Sequence, residues 1–316
     1  SSFQLWAMRS SFLLLLTFLL GVTDIQAGSD FRVCAFNTQH FGESKSQKSD
    51  LILSCYGKCN YLHFSMYDTK HEYKAVASER LGRSETYQEQ YVFVYRTDTV
   101  TVADQYQYPD DKPGDIDAFS REPFVVRFRA PKTAIKEFVL IPQHTTPANT
   151  TKELDALYDV LQHVKKMWKT EVKNVMLLGD FNAGCGYLAK KNRKRVRLIT
   201  DQNLFWLIQE NTDTTVRSST SCSYDRIVVN GETFHRAILP SSAKPFNFQV
   251  EYRLTEEQVT VLCVYVSEPC CFHFIFNAES EKCRVLKDVG PIAEQTKCSN
   301  CWMLDVEQSC CSVCAD

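Results

Sequence analysis

Asn174-Val175-Met176-Leu177-Leu178-Gly179-Asp180-Phe181-Asn182 is the stretch from which the fold is read. Four consecutive apolar residues closed by glycine predict a short buried strand, and the polar residues that follow place a carboxylate and a carboxamide at its end. Gly179 is expected to permit a turn there, and if strand alternation continues, Asp180 and Asn182 face the same side. Just upstream, Leu154, Leu157, Tyr158, Leu161, Val164 and Trp168 follow the 3.6-residue period, which predicts a helix over 152–169 with Thr150 or Thr151 as N-cap. Upstream again, residues 137–144 form an apolar run that ends on His144 within Pro142-Gln143-His144-Thr145-Thr146-Pro147. Strand, helix and strand in this order predict a β-α-β unit.

Outward from this unit, residues 31–36, 90–96, 124–129 and 226–229 are further strand candidates, rich in Val, Ile, Phe or Tyr. Strands outnumber helices, and several end on residues that can do chemistry. Residues 109–115 and the basic stretch 190–197 read as surface loops.

With 316 residues, 44% of them hydrophobic, the chain can bury one large core, while a net charge of −2 neither favours nor excludes a polyanionic partner. Met8-Arg9, the apolar run 12–20 and Ile25-Gln26-Ala27 have the order of a signal peptide over 8–27, which with the residues before it makes a leader of 1–27. The expectation is a secreted product, with no membrane span, in which cysteines can pair. Cysteine usage divides the rest: residues 28–257 hold five, and residues 258–316 hold nine. A boundary is therefore expected near Gln258, between a body and a cysteine-rich tail that is either a stapled module or unfolded. Zinc is disfavoured in the tail because adjacent cysteines such as Cys310-Cys311 are poor tetrahedral chelators.

Four blocks make sense together: Phe36-Asn37, His144, Gly179-Asp180-Phe181-Asn182 and Tyr224-Asp225-Arg226. Each sets a carboxylate, carboxamide or imidazole beside an apolar run. That is how a sheet edge builds a site for a hard cation and a phosphodiester, whose hydrolysis needs activated water, charge neutralisation and a proton donor. Asp225 is a candidate partner for the His144 imidazole, and Glu89, at a strand start, is the remaining acid. Taken singly, each motif also reads as an ordinary strand-ending turn or a solvated charge.

These blocks, with Leu81-Gly82-Arg83-Ser84, Phe119-Ser120-Arg121-Glu122-Pro123 and Pro245-Phe246-Asn247-Phe248-Gln249, resemble the deoxyribonuclease I family, in particular its deoxyribonuclease-gamma-like branch, over about residues 31–257. The resemblance implies an α/β, four-layer sandwich of two mainly antiparallel or mixed β-sheets flanked by helices, and a secreted, monomeric endonuclease acting on DNA. It implies Mg²⁺ or Mn²⁺ at the catalytic site and structural Ca²⁺. Carried over residue by residue, it makes His144 and Glu89 an acid/base pair. Asn37, Asp180 and Asn182 become metal and scissile-phosphate residues, and Asp225 an acid of the same site. Tyr87 and Arg121 match DNA-binding residues, and Cys185 with Cys222 a disulfide. Asp117 with Glu122, and Asp213 with Thr215, resemble calcium sites; a solvated turn is the competing reading of both clusters.

Two pieces of that family pattern are missing. Phe41-Gly42-Glu43 is followed by too few residues before Leu81-Gly82-Arg83 to hold the family's helix and metal-binding glutamate strand; Ser49-Asp50-Leu51-Ile52-Leu53 resembles a remnant, with Tyr56 where the glutamate would fall. The terminal Ser-Asp-His strand is absent too, since the match ends at Leu254-Thr255-Glu256-Glu257. The fold is thus expected to be incomplete and the activity low. The rival reading is a catalytically inactive DNA-binding or interaction protein on the same body. A second is another phosphoesterase of the same broad fold, which architecture alone does not exclude. The run 190–197, with six positive charges in eight residues, is either a polyanion contact or a solvated loop.

Overall fold

The predicted β-α-β unit is present: strand β8 (Glu137–Pro142), helix α1 (Thr150–Met167) and strand β9 (Val175–Asp180), with β8 and β9 paired in parallel. The computed structural model describes residues 31–35, 37, 70–85, 87–114, 116–168, 173–215, 217–251, 253, 255, 271–272 and 274–276. Residues 8–27, expected as a signal peptide, and Phe36, His40, the Phe41-Gly42-Glu43 block and Tyr56 lie outside them.

Around β8 and β9 a six-stranded mixed sheet forms in the order β10-β11-β9-β8-β7-β6. Its other strands are β6 (Thr101–Gln107), β7 (Phe124–Arg129), β10 (Leu204–Trp206) and β11 (Asp225–Asn230). Central strands are buried on both faces, which explains their unbroken apolar runs. On one face Phe138, Leu140, Met176, Leu178, Ile227 and Val229 meet Phe31, Val33 and Tyr95. On the other, Val139, Ile141, Val175, Leu177 and Val228 meet Leu154, Leu157, Val160, Leu161 and Val164 of α1. At about 1.5–3 kcal/mol for each fully buried large apolar side chain, these two layers supply the main driving force for folding.

In place of the expected second sheet, the other described strands form four separate two-stranded ladders. Strand β2 (Tyr73–Ala77) pairs with β5 (Val92–Arg96), β3 (Leu81–Ser84) with β4 (Tyr87–Glu89), β1 (Phe31–Val33) with β14 (Phe274–Phe276), and β12 (Pro245–Phe246) with β13 (Cys271–Phe272). The chain is therefore mixed α/β with a central multi-stranded sheet. A helical layer outside the ladders is not seen among the described residues. Residues 271–272 and 274–276 of β13 and β14 pair with strands of the body.

Some local expectations change. The helix starts earlier than expected and uses Asn149 as N-cap without a side-chain bond; a 3₁₀ turn at Pro147–Asn149 leads into it, and the Thr150 hydroxyl donates back to the Thr146 and Pro147 carbonyls. Strand β8 stops at Pro142, two residues before His144. Gly179 lies within β9 rather than in a turn: its φ is +128°, and a Cβ would sit 2.5 Å from the Gln143 carbonyl oxygen. Close approach of the two strands, not chain reversal, requires glycine there. The alternation argument for Asp180 and Asn182 also fails, because the strand ends at Asp180 and Asn182 adopts φ +49°. In the acidic loop Asp110 is buried, and the basic loop contains two short helices, α2 (Lys190–Arg193) and α3 (Arg197–Thr200).

Candidate active site

Parallel pairing puts the ends of β8 and β9 side by side, and it continues past the strands: Gln143 N donates to Leu178 O (3.1 Å) and Thr145 N to Asp180 O (3.0 Å). His144 and Asp180 therefore emerge at one sheet edge. Asn37 arrives there from the chain after β1, and Glu89 from the end of β4. His144 Nδ1 lies 2.7 Å from Glu89 Oε2, and its Nε2 lies 3.6 Å from Asp180 Oδ2 and 3.5 Å from Asn37 Nδ2. Asn37 Nδ2 also donates to Asp180 Oδ2 at 3.4 Å. Four residues from four distant segments converge at this point.

Burial would raise the Glu89 carboxyl, but the hydrogen bond and charge of His144, with Arg121 and the Tyr87 hydroxyl, hold it down at about 2. An ionised Glu89 accepts the Nδ1 proton and leaves Nε2 facing Asp180 and Asn37. Tyr87, 43% exposed, donates to Glu89 Oε1 at 2.9 Å. Arg121 is 8% exposed and faces inward, donating to the His144 carbonyl at 3.0 and 3.1 Å and to Glu89 at 3.5 Å.

Of the remaining candidates, Asp225 and Asn182 adjoin this centre through Asp180. Asp225 stands opposite Asp180 in the β9/β11 ladder and is buried, so the imidazole's Nδ1 partner is Glu89 and not Asp225. Asn182 binds the Thr145 carbonyl through Nδ2 (2.9 Å), while its backbone N–H donates to Asp180 Oδ1 (3.1 Å). That fixes the Asp180 carboxylate. Cys185 and Cys222 form the expected disulfide. Asp213 Oδ1 accepts from Thr215 N, Thr215 Oγ1 and Cys222 N, an arrangement of a self-bonded turn. Asp117 and Glu122 come together with Asp110, their ligand atoms within 4.8 Å of one another. Asp117 is also paired with Arg83 at 2.7 Å.

Sequence reasoning missed the roles of Glu153 and Tyr91, and it quoted Arg226 only as part of the Tyr224-Asp225-Arg226 block without assigning it a contact. Glu153 in the first turn of α1 reads as a helix-dipole charge, yet it is fully buried and accepts from Thr146 N (3.0 Å), Ser120 Oγ (3.3 Å) and Gln143 Nε2 (3.2 Å). Burial pushes its carboxyl up. The Tyr91 hydroxyl accepts from His144 N at 3.0 Å. Arg226 donates to the Ser223, Ile208 and Ala183 carbonyls, and burial, with Arg193 nearby, brings it down to about 10 despite Asp225. No local pattern announces any of these, because their partners are mostly backbone atoms of remote loops. A cavity of about 740 Å³ opens at the opposite end of the sheet, lined by Asp98, Thr99, Ile135, Lys136 and Asn174, and none of the catalytic candidates lines it.

A sheet of this order with an imidazole, carboxylates and carboxamides at its edge defines a phosphoesterase-type site. The model of the Endonuclease/Exonuclease/phosphatase family matches residues 34–245, and the chain belongs to that family, in the gamma-like branch of its deoxyribonuclease I group. Deoxyribonuclease gamma of Homo sapiens is 43% identical over 262 residues, covering 76% of this chain and 85% of its own length. The Rattus norvegicus form is 42% identical over 266 residues (77% and 85%), and deoxyribonuclease-1 of Sus scrofa 41% identical over 256 residues (74% and 88%). The chain is accordingly a phosphodiester hydrolase of the deoxyribonuclease type. The 262 aligned positions exceed 76% of 316 residues, so the human relative carries positions that this chain lacks. Among solved structures, the human Nocturnin catalytic domain with bound sulfate superposes with a TM-score of 0.50 at 10% identity, covering 79% of this chain and 95% of that one, a likeness of fold alone.

Proposed function

We propose that this chain is a secreted, divalent-metal-dependent endonuclease that hydrolyses phosphodiester bonds of DNA, working as a monomer and with reduced activity in this form. The observation that carries the reading is the convergence of Glu89, His144, Asn37 and Asp180 on one sheet edge. Secretion rests on the apolar run after Met8-Arg9 and accords with the Cys185–Cys222 disulfide.

Oxygen donors suited to a hard cation are present in Asp180, Asp225 and the Asn37 and Asn182 carboxamides, and Asp180 stands beside the imidazole. Mg²⁺ or Mn²⁺ bound there would neutralise phosphate charge and acidify a water. His144, with Nδ1 committed to Glu89, holds or releases a proton at Nε2, and Asn37 with Asp180 orients it toward the same point. Tyr87, exposed beside Glu89, is the proposed contact to the DNA backbone, while Arg121 holds Glu89 and the His144 carbonyl in register. The cluster of Asp110, Asp117 and Glu122 is the proposed Ca²⁺ site, with Asp213 a weaker candidate because its own loop supplies its donors.

The reduced activity in this proposal rests on the sequence, where Tyr56 stands at the place of the family's metal-binding glutamate. The sequence also contains no Ser-Asp-His to furnish a second imidazole. Incubating the purified chain with supercoiled plasmid, Mg²⁺ and Ca²⁺ tests the reading. Slow nicking that His144→Ala abolishes is expected; nicking no faster than that variant would instead favour a DNA-binding protein without catalysis.

A further inference from the structure

The run Lys190-Lys191-Asn192-Arg193-Lys194-Arg195-Val196-Arg197 carries six cations, and the fold divides them into two kinds. Arg197 grips Asp155 and Asp159, which raises its basicity further, and Arg193 is paired with Glu210. These two anchor the segment, along with buried Leu188, Val196 and Leu198. Lys190, Lys191, Lys194 and Arg195 lie at the surface and have no carboxylate partner among the described residues; Arg195 donates to the Asn192 carboxamide, at 2.6 Å. A solvated loop needs no such anchoring. Here two arginines and three apolar side chains fix a short helical segment so that four cations stand out from it together.

Its position is set by the same strands that set the active site. The segment follows β9, whose C-terminal residue is Asp180, and Asn192 Nδ2 reaches Thr151 Oγ1 (3.5 Å) at the start of α1, the helix that follows the C-terminal end of β8. Between Asp180 and Lys190 the chain is held by the Cys185–Cys222 disulfide and by Tyr187, stacked on Tyr224 with centroids 5.1 Å apart. The cations therefore lie on the sheet edge that carries His144, beyond the disulfide loop. We infer that Lys190, Lys191, Lys194 and Arg195 form a phosphate-contacting ridge that holds the DNA duplex outside the scissile site, lengthening the footprint of the substrate. The inference rests on the nuclease reading for its substrate, and its physical basis is counterion release from a polyanion spanning both places.

The test compares the full chain with the variant Lys190→Gln/Lys191→Gln/Lys194→Gln/Arg195→Gln on two substrates, plasmid DNA and a small aryl phosphodiester too short to reach the ridge. The small diester should be hydrolysed equally by both proteins, which also reports that the variant is folded. Plasmid nicking by the variant should fall at least about tenfold at physiological salt, and the slope of log affinity against log salt for a long duplex should become shallower by up to roughly 3.6, at about 0.9 for each phosphate that the ridge neutralises. Equal plasmid nicking and an equal salt slope would overturn the ridge. If neither protein hydrolyses either substrate, the nuclease reading fails. Duplex binding by gel shift in EDTA then decides separately: a weaker, less salt-sensitive shift in the variant upholds the ridge, and identical shifts reject it.

Discussion

His144 Nδ1 lies 2.7 Å from Glu89 Oε2, across 55 residues of sequence, and the proposed proton transfer at Nε2 rests on this contact. A carboxylate on Nδ1 fixes the tautomer and supports the positive charge that forms when Nε2 takes a proton. The two residues should behave as a pair. Glu89→Gln and His144→Ala are each expected to slow plasmid nicking by about 10²–10⁴-fold, and the double variant to be no slower than His144→Ala alone. Initial nicking rates would show this, and losses that multiply in the double variant would refute a coupled pair.

The same contact carries a pH signature. Glu89 is depressed from 4.5 to about 2, so its contribution to stability is fully present above pH 4.5 and is lost as pH falls through about 2. With each tenfold change in acidity equivalent to roughly 1.4 kcal/mol, the contribution is on the order of 3 kcal/mol. Urea unfolding of the wild type and Glu89→Gln should therefore differ most near pH 6 and converge near pH 2. A gap between the two curves that stays constant over that range would contradict the linkage.

Gly179→Ala tests why glycine closes β9. The new Cβ would meet the Gln143 carbonyl oxygen at 2.5 Å, at a φ of +128° that other residues rarely adopt. Strain of this kind costs about 1–3 kcal/mol before any clash is relieved. Because Gln143 precedes His144 and Gly179 precedes Asp180, nicking should fall along with stability. Gly114→Ala is the control, with a φ of +87° but nothing within 4 Å, and there only the backbone strain should appear in the urea midpoint.

Removing the disulfide with Cys185→Ala/Cys222→Ala opens a closure spanning 37 residues. Chain-entropy arguments put the loss at about 4 kcal/mol, less whatever structure the open chain retains. The loop carries Asn182's neighbours at one end and Asp225's at the other, so melting temperature and nicking should both lie below those of the oxidised wild type. Identical melting of the reduced wild type and oxidised wild type would show that the crosslink contributes nothing.

Much of the frame is legible in the sequence for a plain physical reason. Strands β7, β8, β9 and β11 are buried on both faces, so their apolar runs are largely unbroken, and α1 shows its stripe because a single face meets the sheet. Strand β6 escapes such a reading because Thr101–Gln107 is a half-exposed edge strand whose polar residues look like loop. The first turn of α1 is misplaced from sequence because the cap depends on a 3₁₀ turn, which no helix-start rule encodes.

For the site, the residue types near the strand ends and their family order point to His144, Asp180, Asn182 and Glu89 before any geometry is known. Sequence alone determined that the chemistry would be gathered at strand ends, since chemical identity and apolar periodicity are local properties. Only the tertiary structure decided which further groups touch. The Glu89–His144 contact is the one the family resemblance implies, but that Arg121 faces inward to bind the His144 carbonyl and buried Glu153 bonds the Thr146 N–H is seen only in the fold. Those pairings come from strand register and backbone hydrogen bonds between remote segments, and a bond to a backbone atom leaves no mark on the identity of the residue that supplies it.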